Sequence, residues 1–364
     1  MTKKEKIGIV TIVDYTNFGN RLQNYAVYSV MKKNGYRTYT LHSLKEKKYP
    51  YGRLDIYIKN EIVKNLWAFP KCIVKKFGAG TLRWVNFMKW SKLIPTKHYY
   101  ECEHLSEDLN NEYDFFVAGS DQIWNYNFAS KKFDDYFLKF ATNNKKIALS
   151  ASFGIEEIPE EWEKTYVDGL KSFKNISVRE DAGKYIVNNL IDRDADVLID
   201  PVMMLDKNEW LKVSRKPLVD TSKPYILKYY LGDKTKEDKI DIWAEKKGYE
   251  TYELLDESNP ELYSAGPGEF LSLINNAELV CSDSFHCIVF AIIFSKPFIV
   301  YKRIGNENNM LSRLKTLLSK FGFEDRWEDV VQEQDFLQCD FSNVDSIIKK
   351  EQSRFNNYLQ KCLH

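Results

Sequence analysis

The residues best suited to chemistry lie in a polar turn between two apolar runs. The sequence Ser-Asp-Ser at 282–284 follows a short apolar segment, and His286 stands at the start of the apolar run 285–294. This pattern predicts a buried strand, a turn whose side-chain oxygens suit a helix cap, and a buried helix that ends before Pro297. In a parallel sheet such a turn lies at the carboxyl edge, where ligands bind and a helix N-terminus favours anions. The turn therefore predicts an anion site, and the alternative is a hydrogen-bonded structural histidine.

Arg179 stands at a second predicted strand end, in the first half of the chain. The segment 175–178 predicts a strand, and the helical pattern 182–189 begins just after Arg179, Glu180 and Asp181. A guanidinium at a helix N-terminus opposes the helix dipole unless an anion compensates it. Arg179 is therefore a candidate anion ligand, and the alternative is an ion pair with Glu180 or Asp181.

Two polar turns in the first half have the composition of a sugar site. Sugar hydroxyls bind to carboxylates and amides, and the face of a sugar ring packs on an aromatic side chain. The candidates are Asp121, Gln122, Trp124 and Asn125, which follow the strand predicted over 114–118, together with Asn17 and Asn20, which follow the first predicted strand. The alternative is a loop that Ser120 and Asp121 cap without any function.

Composition narrows the classes of protein. The 364 residues, 44% of them hydrophobic, are enough for two globular domains, and 53 basic against 52 acidic residues give no argument for a nucleic-acid partner. The first 15 residues predict a strand rather than a signal peptide, and no apolar run approaches the roughly 18 residues of a membrane span. The six cysteines contain no C-x-x-C pair, which predicts reduced thiols, a cytoplasmic protein and no metal site.

Strand and helix patterns alternate twice along the chain. This alternation predicts the α/β class, with two domains whose strand ends face a central cleft. We place the first domain, which contains Arg179, at 1–205 and the second, which contains His286, at 222–340. The helical segment 341–364 is expected to pack back on the first domain.

The segment 57–92 differs from its surroundings. It has eight Lys or Arg against one acidic residue, with aromatic residues between them. Such a surface suits peripheral contact with an anionic membrane, here the inner face of the cell membrane. The alternative is a pair of helices that bury their aromatic side chains in the first domain and leave the lysines in water.

Six segments carry a resemblance to a known family. They read NFGNRLQNYA, FVAGSDQIWN, SVRED, VLIDP, ELVCSDSFHCIVFAIIFSKPFI and SRLKTLLSKFGFEDR. Together, and in this order over nearly the whole chain, they resemble the polysaccharide pyruvyl transferase family. The resemblance implies two Rossmann-like domains in a GT-B-like arrangement. It also implies transfer of a pyruvyl group from phosphoenolpyruvate to two sugar hydroxyls, which forms a cyclic ketal and releases phosphate.

The resemblance also implies roles for particular residues. Arg179 and His286 match positions implicated in donor binding, whereas Cys287 stands where the family usually has glycine. A donor with a phosphate and a carboxylate needs convergent cations, so the expected donor ligands are Arg179, His286, Ser284, Arg303 and Arg313. His286 is expected to deliver the proton to the donor, and Asp121 or Asp283 to accept the hydroxyl proton.

The expected partners are phosphoenolpyruvate and an acceptor sugar, free or on a nucleotide or lipid carrier. No cofactor is expected, because phosphoenolpyruvate acts as a co-substrate. Two alternatives stay open from the sequence. One is a sugar-nucleotide-dependent GT-B glycosyltransferase, since the same cleft serves that chemistry. The other is a catalytically inactive homologue that binds a sugar or an anion, for which Cys287 is the hint.

Overall fold

In the part of the chain that the structure describes, the strands form two sheets, and every pair of neighbouring strands there is parallel. The computed structural model describes residues 4–45, 78–233, 239–304 and 311–364. The larger sheet contains β1 (Lys6–Val10), β2 (Arg37–Leu44), β3 (Thr96–Tyr100), β4 (Phe115–Ala118), β5 (Lys146–Ala151), β6 (Ile176–Val178) and β7 (Asp196–Val197), in the order β3-β2-β1-β4-β5-β6-β7. The smaller sheet contains β8 (Tyr225–Tyr229), β9 (Glu250–Glu253), β10 (Leu279–Ser282) and β11 (Phe298–Val300), in the order β11-β10-β8-β9.

Helices connect most of these strands. The longer ones are α1 (Phe18–Lys33), α2 (Ala79–Ser91), α3 (Glu160–Lys171), α4 (Asp181–Ile191), α5 (Lys207–Val213), α6 (Lys239–Lys247), α7 (Pro267–Asn276), α8 (Phe285–Ile293), α9 (Leu311–Phe321) and α10 (Val344–Leu363). Four-residue helices occur at Tyr126–Ala129, Phe133–Tyr136 and Pro260–Tyr263. We call the larger sheet with its helices the first lobe and the smaller sheet with its helices the second lobe.

The sequence pattern explains the buried elements. Every residue of β5 is buried, as expected for an inner strand of a parallel sheet that helices cover on both faces. Every residue of α8 is buried too, so its nearly continuous apolar sequence has no wet side. The predicted α/β class with two Rossmann-like, GT-B-like halves is confirmed, because each lobe is a parallel sheet built from alternating strands and helices.

The two lobes are in contact over a broad aromatic surface. Phe18 of α1 stacks on Phe270 of α7 with ring centroids 4.6 Å apart. Arg83 of α2 reaches across and donates to the carbonyl oxygens of Tyr263 and Ala265, each at 3.3 Å. These contacts bring the carboxyl ends of β1 and β10 to the same side of the interface.

The C-terminal helix α10 returns to the larger sheet. The hydroxyl group of Tyr358 donates to the carbonyl oxygen of Ala148 in β5 at 2.7 Å, and the amide of Gln352 donates to Met203 at the same distance. The helix therefore ties the end of the chain to the first lobe after the chain has built the second.

Only part of the basic and aromatic segment 57–92 belongs to the described structure. Within α2, Phe87 and Trp90 are buried, and Phe87 packs on Phe18 with centroids 5.0 Å apart. Two of the three aromatic residues of α2 therefore belong to the core, as the alternative to a membrane surface predicted, whereas Trp84 is only partly buried. Residues 57–77 lie outside the described residues. Across the described ranges, none of the helices has the length and apolar character that crossing a bilayer requires.

Candidate functional site

Arg179 leaves the carboxyl end of β6 and points into the interface between the lobes. Its side chain is 1% exposed, and Nη2 lies 2.9 Å from Oδ2 of Asp200 and donates to the hydroxyl of Ser120. Within the described residues, Nε and Nη1 have no hydrogen-bond partner. A buried guanidinium with two unused N–H directions is arranged to accept a further anion.

His286 approaches the same carboxylate from the second lobe. It stands in the first turn of α8, and its Nε2 lies 3.4 Å from Oδ2 of Asp200. The other ring nitrogen faces α1, because a Cβ atom added to Gly19 would lie only 2.1 Å from Nδ1. Glycine at position 19 is thus what allows the imidazole to enter the interface.

Asp200 is the point at which the side chains of Arg179 and His286 meet. Its Oδ1 accepts the backbone N–H of Val202 at 2.9 Å and caps the short 3-10 helix Pro201–Met204. Burial alone would raise the pKa of this carboxyl, but Arg179 and His286 lower the pKa to about 2. Asp200 is therefore ionised at neutral pH.

A second arginine belongs to the same group. The guanidinium carbon of Arg313 lies 5.3 Å from the ring centroid of Phe285, and that of Arg179 lies 5.1 Å from the same ring. Burial, followed by the charge of Arg179, lowers the pKa of Arg313 to about 10, so it stays charged at neutral pH. The structure therefore brings Arg179, His286 and Arg313 together, as the sequence predicted for donor ligands.

Glu180, the residue after Arg179, holds the loop that follows β5. Its Oε1 accepts the backbone N–H groups of Phe153 at 2.8 Å and Gly154 at 2.9 Å, and the hydroxyl of Ser152 at 3.1 Å. Burial raises the pKa of this carboxyl above its ordinary value. Glu180 fixes the loop after β5 on which the arginine side of the site rests.

Asp121 joins the site to the first polar turn. Its Oδ2 accepts from Nδ2 of Asn20 at 3.0 Å, and Oδ1 accepts the N–H of Gln122 at 2.9 Å. Burial would raise the pKa of Asp121, but His286 and Arg179 lower it. Asp121 is thus a charged neighbour of Arg179, His286 and Arg313. Asn17 caps α1 by accepting the N–H of Asn20, so both asparagines shape the turn.

Trp124 corrects one expectation for the acceptor side. The side chain is fully buried, its ring stacks on Phe137 at 5.6 Å, and Nε1 donates to the carbonyl of Tyr136. The prediction that this ring packs on a sugar is wrong, because core side chains cover it. Asn125 is buried as well and caps the next short helix, and Gln122 is buried beside Gly154.

Asp283 corrects a second expectation. Its two carboxylate oxygens accept the backbone N–H groups of Leu231 and Gly232, both at 2.8 Å, and Nε of Arg303 lies 3.4 Å from Oδ2. A carboxylate used in this way anchors a loop, and the predicted role as proton acceptor does not fit it. Arg303 pairs with this loop anchor rather than with Asp200. Ser284 is the N-cap residue of α8 without a capping bond from its side chain.

Cys287 follows His286 in α8 and belongs to the hydrophobic core. Its side chain is fully buried in the core, and burial raises the pKa of the thiol to about 12, so it is neutral. The described cysteines Cys102, Cys281, Cys287, Cys339 and Cys362 are free, while Cys72 lies outside the described residues. Nowhere in the described ranges do three His, Cys, Asp or Glu side chains assemble as metal ligands.

Asp200 and Glu180 are the site residues that sequence reasoning missed as ligands. The signal for Asp200 was present, because the segment DVLIDP places an aspartate directly before Pro201, at the end of a run of strand-forming residues. The rule that selected Arg179, a charged residue at a parallel strand's carboxyl end, applies to it equally.

Comparisons with known proteins place the chain in a family. The model of the family described as polysaccharide pyruvyl transferase matches residues 17–303. Among curated proteins, none matches this chain. Similar solved structures include UDP-GlcNAc 2-epimerase from Neisseria meningitidis bound to UDP-GlcNAc, with 12% identity, 97% of this chain and 94% of that chain covered, and a TM-score of 0.45. A second is the UDP-GlcNAc 2-epimerase from Methanocaldococcus jannaschii, with 12% identity, 99% of this chain and 100% of that chain covered, and a TM-score of 0.46. A third is Anabaena Alr3699/HepE in complex with UDP and glucose, with 11% identity, 99% of this chain and 99% of that chain covered, and a TM-score of 0.43.

At these identities and scores the structural likeness carries no argument about function. The family match is different in kind, because it spans most of the 364 residues and includes Arg179, Asp200 and His286. The chain therefore belongs to the polysaccharide pyruvyl transferase family.

Proposed function

We propose that the protein transfers the pyruvyl group of phosphoenolpyruvate to two hydroxyls of a sugar, forming a cyclic ketal and releasing phosphate. Family membership supports pyruvyl transfer in polysaccharide synthesis. The observation that carries the choice of donor is the meeting of Arg179 from the first lobe and His286 from the second at one buried carboxylate. The acceptor sugar is free or held on a nucleotide or lipid carrier.

The charges of the site suit a small donor with two anionic groups. Arg179 offers Nε and Nη1, and Arg313 brings a second guanidinium to the same aromatic ring. Guanidinium groups bind phosphate and carboxylate through paired N–H groups, which a lysine cannot do. Two arginines in one buried group therefore match phosphoenolpyruvate better than they match a neutral sugar.

Ketal formation needs a proton at one carbon and removal of protons from two hydroxyls. The methylene carbon of the donor takes a proton, and the oxocarbenium-like centre that results is attacked by the first sugar hydroxyl. Phosphate then leaves with its bonding electrons, and the second hydroxyl closes the ring. One of the two hydroxyl protons replaces the proton consumed at carbon, and the other leaves with phosphate.

His286 and Asp121 are the residues proposed for these proton steps. His286 delivers the proton to the methylene carbon, a role that suits an imidazole near neutral pH. Asp121 stays ionised beside His286 and Arg179, and it accepts a hydroxyl proton. Because the side chains of Arg179 and His286 are only 1% and 8% exposed, the donor enters when the lobes or their loops separate.

The test measures phosphate release from phosphoenolpyruvate with a panel of sugar acceptors, and mass spectrometry detects the pyruvylated product. Arg179→Ala and His286→Ala should each lower turnover by about 100-fold or more, because each removes a charged or proton-transferring group. Matched controls are Arg37→Ala and His104→Ala, which change an exposed arginine and a partly exposed histidine of the first lobe that do not contact Asp200. Wild-type turnover in both site variants would remove their roles, and no pyruvylated product from any acceptor would end the proposal.

A further inference from the structure

We propose that Asp200 is the resident counter-ion of the donor site. While the site is empty, its carboxylate holds Arg179 and His286 together across the two lobes. When the donor binds, the donor's anionic group replaces Asp200 as the partner of these two side chains. The inference rests on the proposed function only for the identity of that anion.

The first support is the position of the carboxylate. Asp200 is buried with its side chain 0% exposed, and its Oδ1 is used by the N–H of Val202. Oδ2 is the oxygen that faces Arg179 and His286, at 2.9 Å and 3.4 Å respectively. One oxygen thus anchors the residue to its own lobe, and the other bridges to the second lobe.

The second support is the quality of these contacts. Among the described residues, Oδ2 of Asp200 and Nε2 of His286 receive or make no well-directed hydrogen bond, although they lie at ion-pair distance. The pair therefore lacks the well-aligned hydrogen bonds that make a buried ion pair hard to exchange. A phosphate or carboxylate that also reaches Nε and Nη1 of Arg179 would bond better than Asp200 does.

The third support is the cost of leaving the cations alone. A buried guanidinium without a counter-ion is strongly unfavourable, so an empty site needs an internal anion. That same anion then competes with the donor. Asp200 should for this reason stabilise the empty protein and weaken donor binding, a combination that no purely structural residue produces.

The alternative role for Asp200 is to orient the imidazole of His286 during catalysis. In that case its removal would lower kcat and leave the affinity for anions unchanged or weaker. The two roles therefore predict opposite changes in affinity, and a binding experiment without turnover separates them.

The experiment compares the wild-type protein with Asp200→Asn by calorimetry, using inorganic phosphate and phosphoenolpyruvate as probes. Asparagine keeps the oxygen that caps Val202 and removes the charge. We expect Asp200→Asn to bind both probes about tenfold more tightly than the wild type does. Its melting temperature without ligand should be lower than that of the wild type, and added phosphate should raise the melting temperature of the variant by more than it raises that of the wild type. Asp206→Asn, an exposed helix cap at the start of α5, is the matched control and should change none of these.

Weaker or unchanged phosphate binding by Asp200→Asn would overturn the counter-ion role. If this variant does not fold without ligand, Asp200→Ser retains a capping hydroxyl, and phosphate should restore the folding of both variants. No gain from phosphate in either variant would also overturn the role. If the wild type turns over no phosphoenolpyruvate but Asp200→Asn gains phosphate affinity, the proposed function fails while the counter-ion role stands.

Discussion

Two buried aspartates, one in each lobe, differ in the groups that their carboxylate oxygens contact. Asp200 follows the last strand of the first lobe, and Asp283 follows β10 in the second. Each lies beside an arginine, Arg179 at 2.9 Å and Arg303 at 3.4 Å. Both carboxylate oxygens of Asp283 accept backbone N–H groups of its own lobe. In Asp200 one oxygen accepts a backbone N–H group, and the other faces side chains from both lobes.

The difference separates an anchor from an exchangeable partner. Backbone N–H groups hold a carboxylate in a fixed geometry, and nothing that binds from outside replaces them easily. Side-chain cations can turn to another anion. A buried acid near an arginine is therefore a candidate for function when its oxygens contact mobile cations, and a candidate for structure when they contact the backbone.

The sharpest test of this comparison is Asp283→Asn. The amide would place an NH2 group against the N–H of Leu231 or Gly232, and Arg303 would lose its counter-ion. We expect a loss of about 3 kcal/mol in the free energy of unfolding, measured with denaturant, and no gain in phosphate affinity. Tighter phosphate binding by Asp283→Asn would show that the two aspartates are not different in kind.

Gly19→Ala tests the position of His286 from the opposite side. The added methyl group would lie 2.1 Å from Nδ1, so the imidazole must leave Asp200 or α1 must shift. We expect turnover to fall by about 100-fold and stability by about 2 kcal/mol. Gly80→Ala is a matched control, because Gly80 is likewise the second residue of a helix, α2, and its added Cβ would meet nothing within 4 Å.

The control should keep full turnover and gain up to about 1 kcal/mol of stability, since alanine favours a helix more than glycine does. Full activity in Gly19→Ala would mean that the close packing of His286 against α1 is not needed for the reaction.

Acid unfolding tests the charge on Asp200. Its pKa falls from the ordinary value of 3.8 to about 2, so its contribution to stability is complete above about pH 4 and is lost as the pH falls through 2. A fall in the pKa from 3.8 to about 2 corresponds to about 2 kcal/mol. The difference in unfolding free energy between the wild type and Asp200→Asn should shrink by this amount between pH 5 and about pH 2 in urea titrations. A constant difference over that range would show that Asp200 is not held ionised by its neighbours.

Much of this site follows from one rule applied to the sequence. Arg179 and His286 each stand where a predicted parallel strand ends, and the fold brings such ends together. Asp200 obeys the rule less visibly, because β7 ends at Val197 and the chain runs on as extended backbone before Pro201.

Trp124 and Asp283 show where local sequence is not enough. A tryptophan after a polar turn has the pattern of a surface ring, and its burial depends on Phe137 and Phe173, which come later in the chain. The anchoring role of Asp283 depends on the loop at 231–232, about fifty residues earlier. Both outcomes are decided by long-range packing, which no local pattern contains.

The smallest expected effect concerns an ion pair between the lobes that water can reach. Lys315 of α9 lies 3.6 Å from Glu156 of the first lobe, with both side chains more than half exposed. Solvent screens such a pair, so Lys315→Ala should change the free energy of unfolding by less than about 0.5 kcal/mol and leave phosphate binding unchanged. An effect as large as that of Asp200→Asn would mean that any charge between the lobes matters, whether or not it is buried. If Lys315→Ala changes the free energy of unfolding as little as expected, the contact of Asp200 with Arg179 and His286 differs from other charge pairs between the lobes in two respects. It is buried, and one oxygen of Asp200 can be replaced by a bound anion.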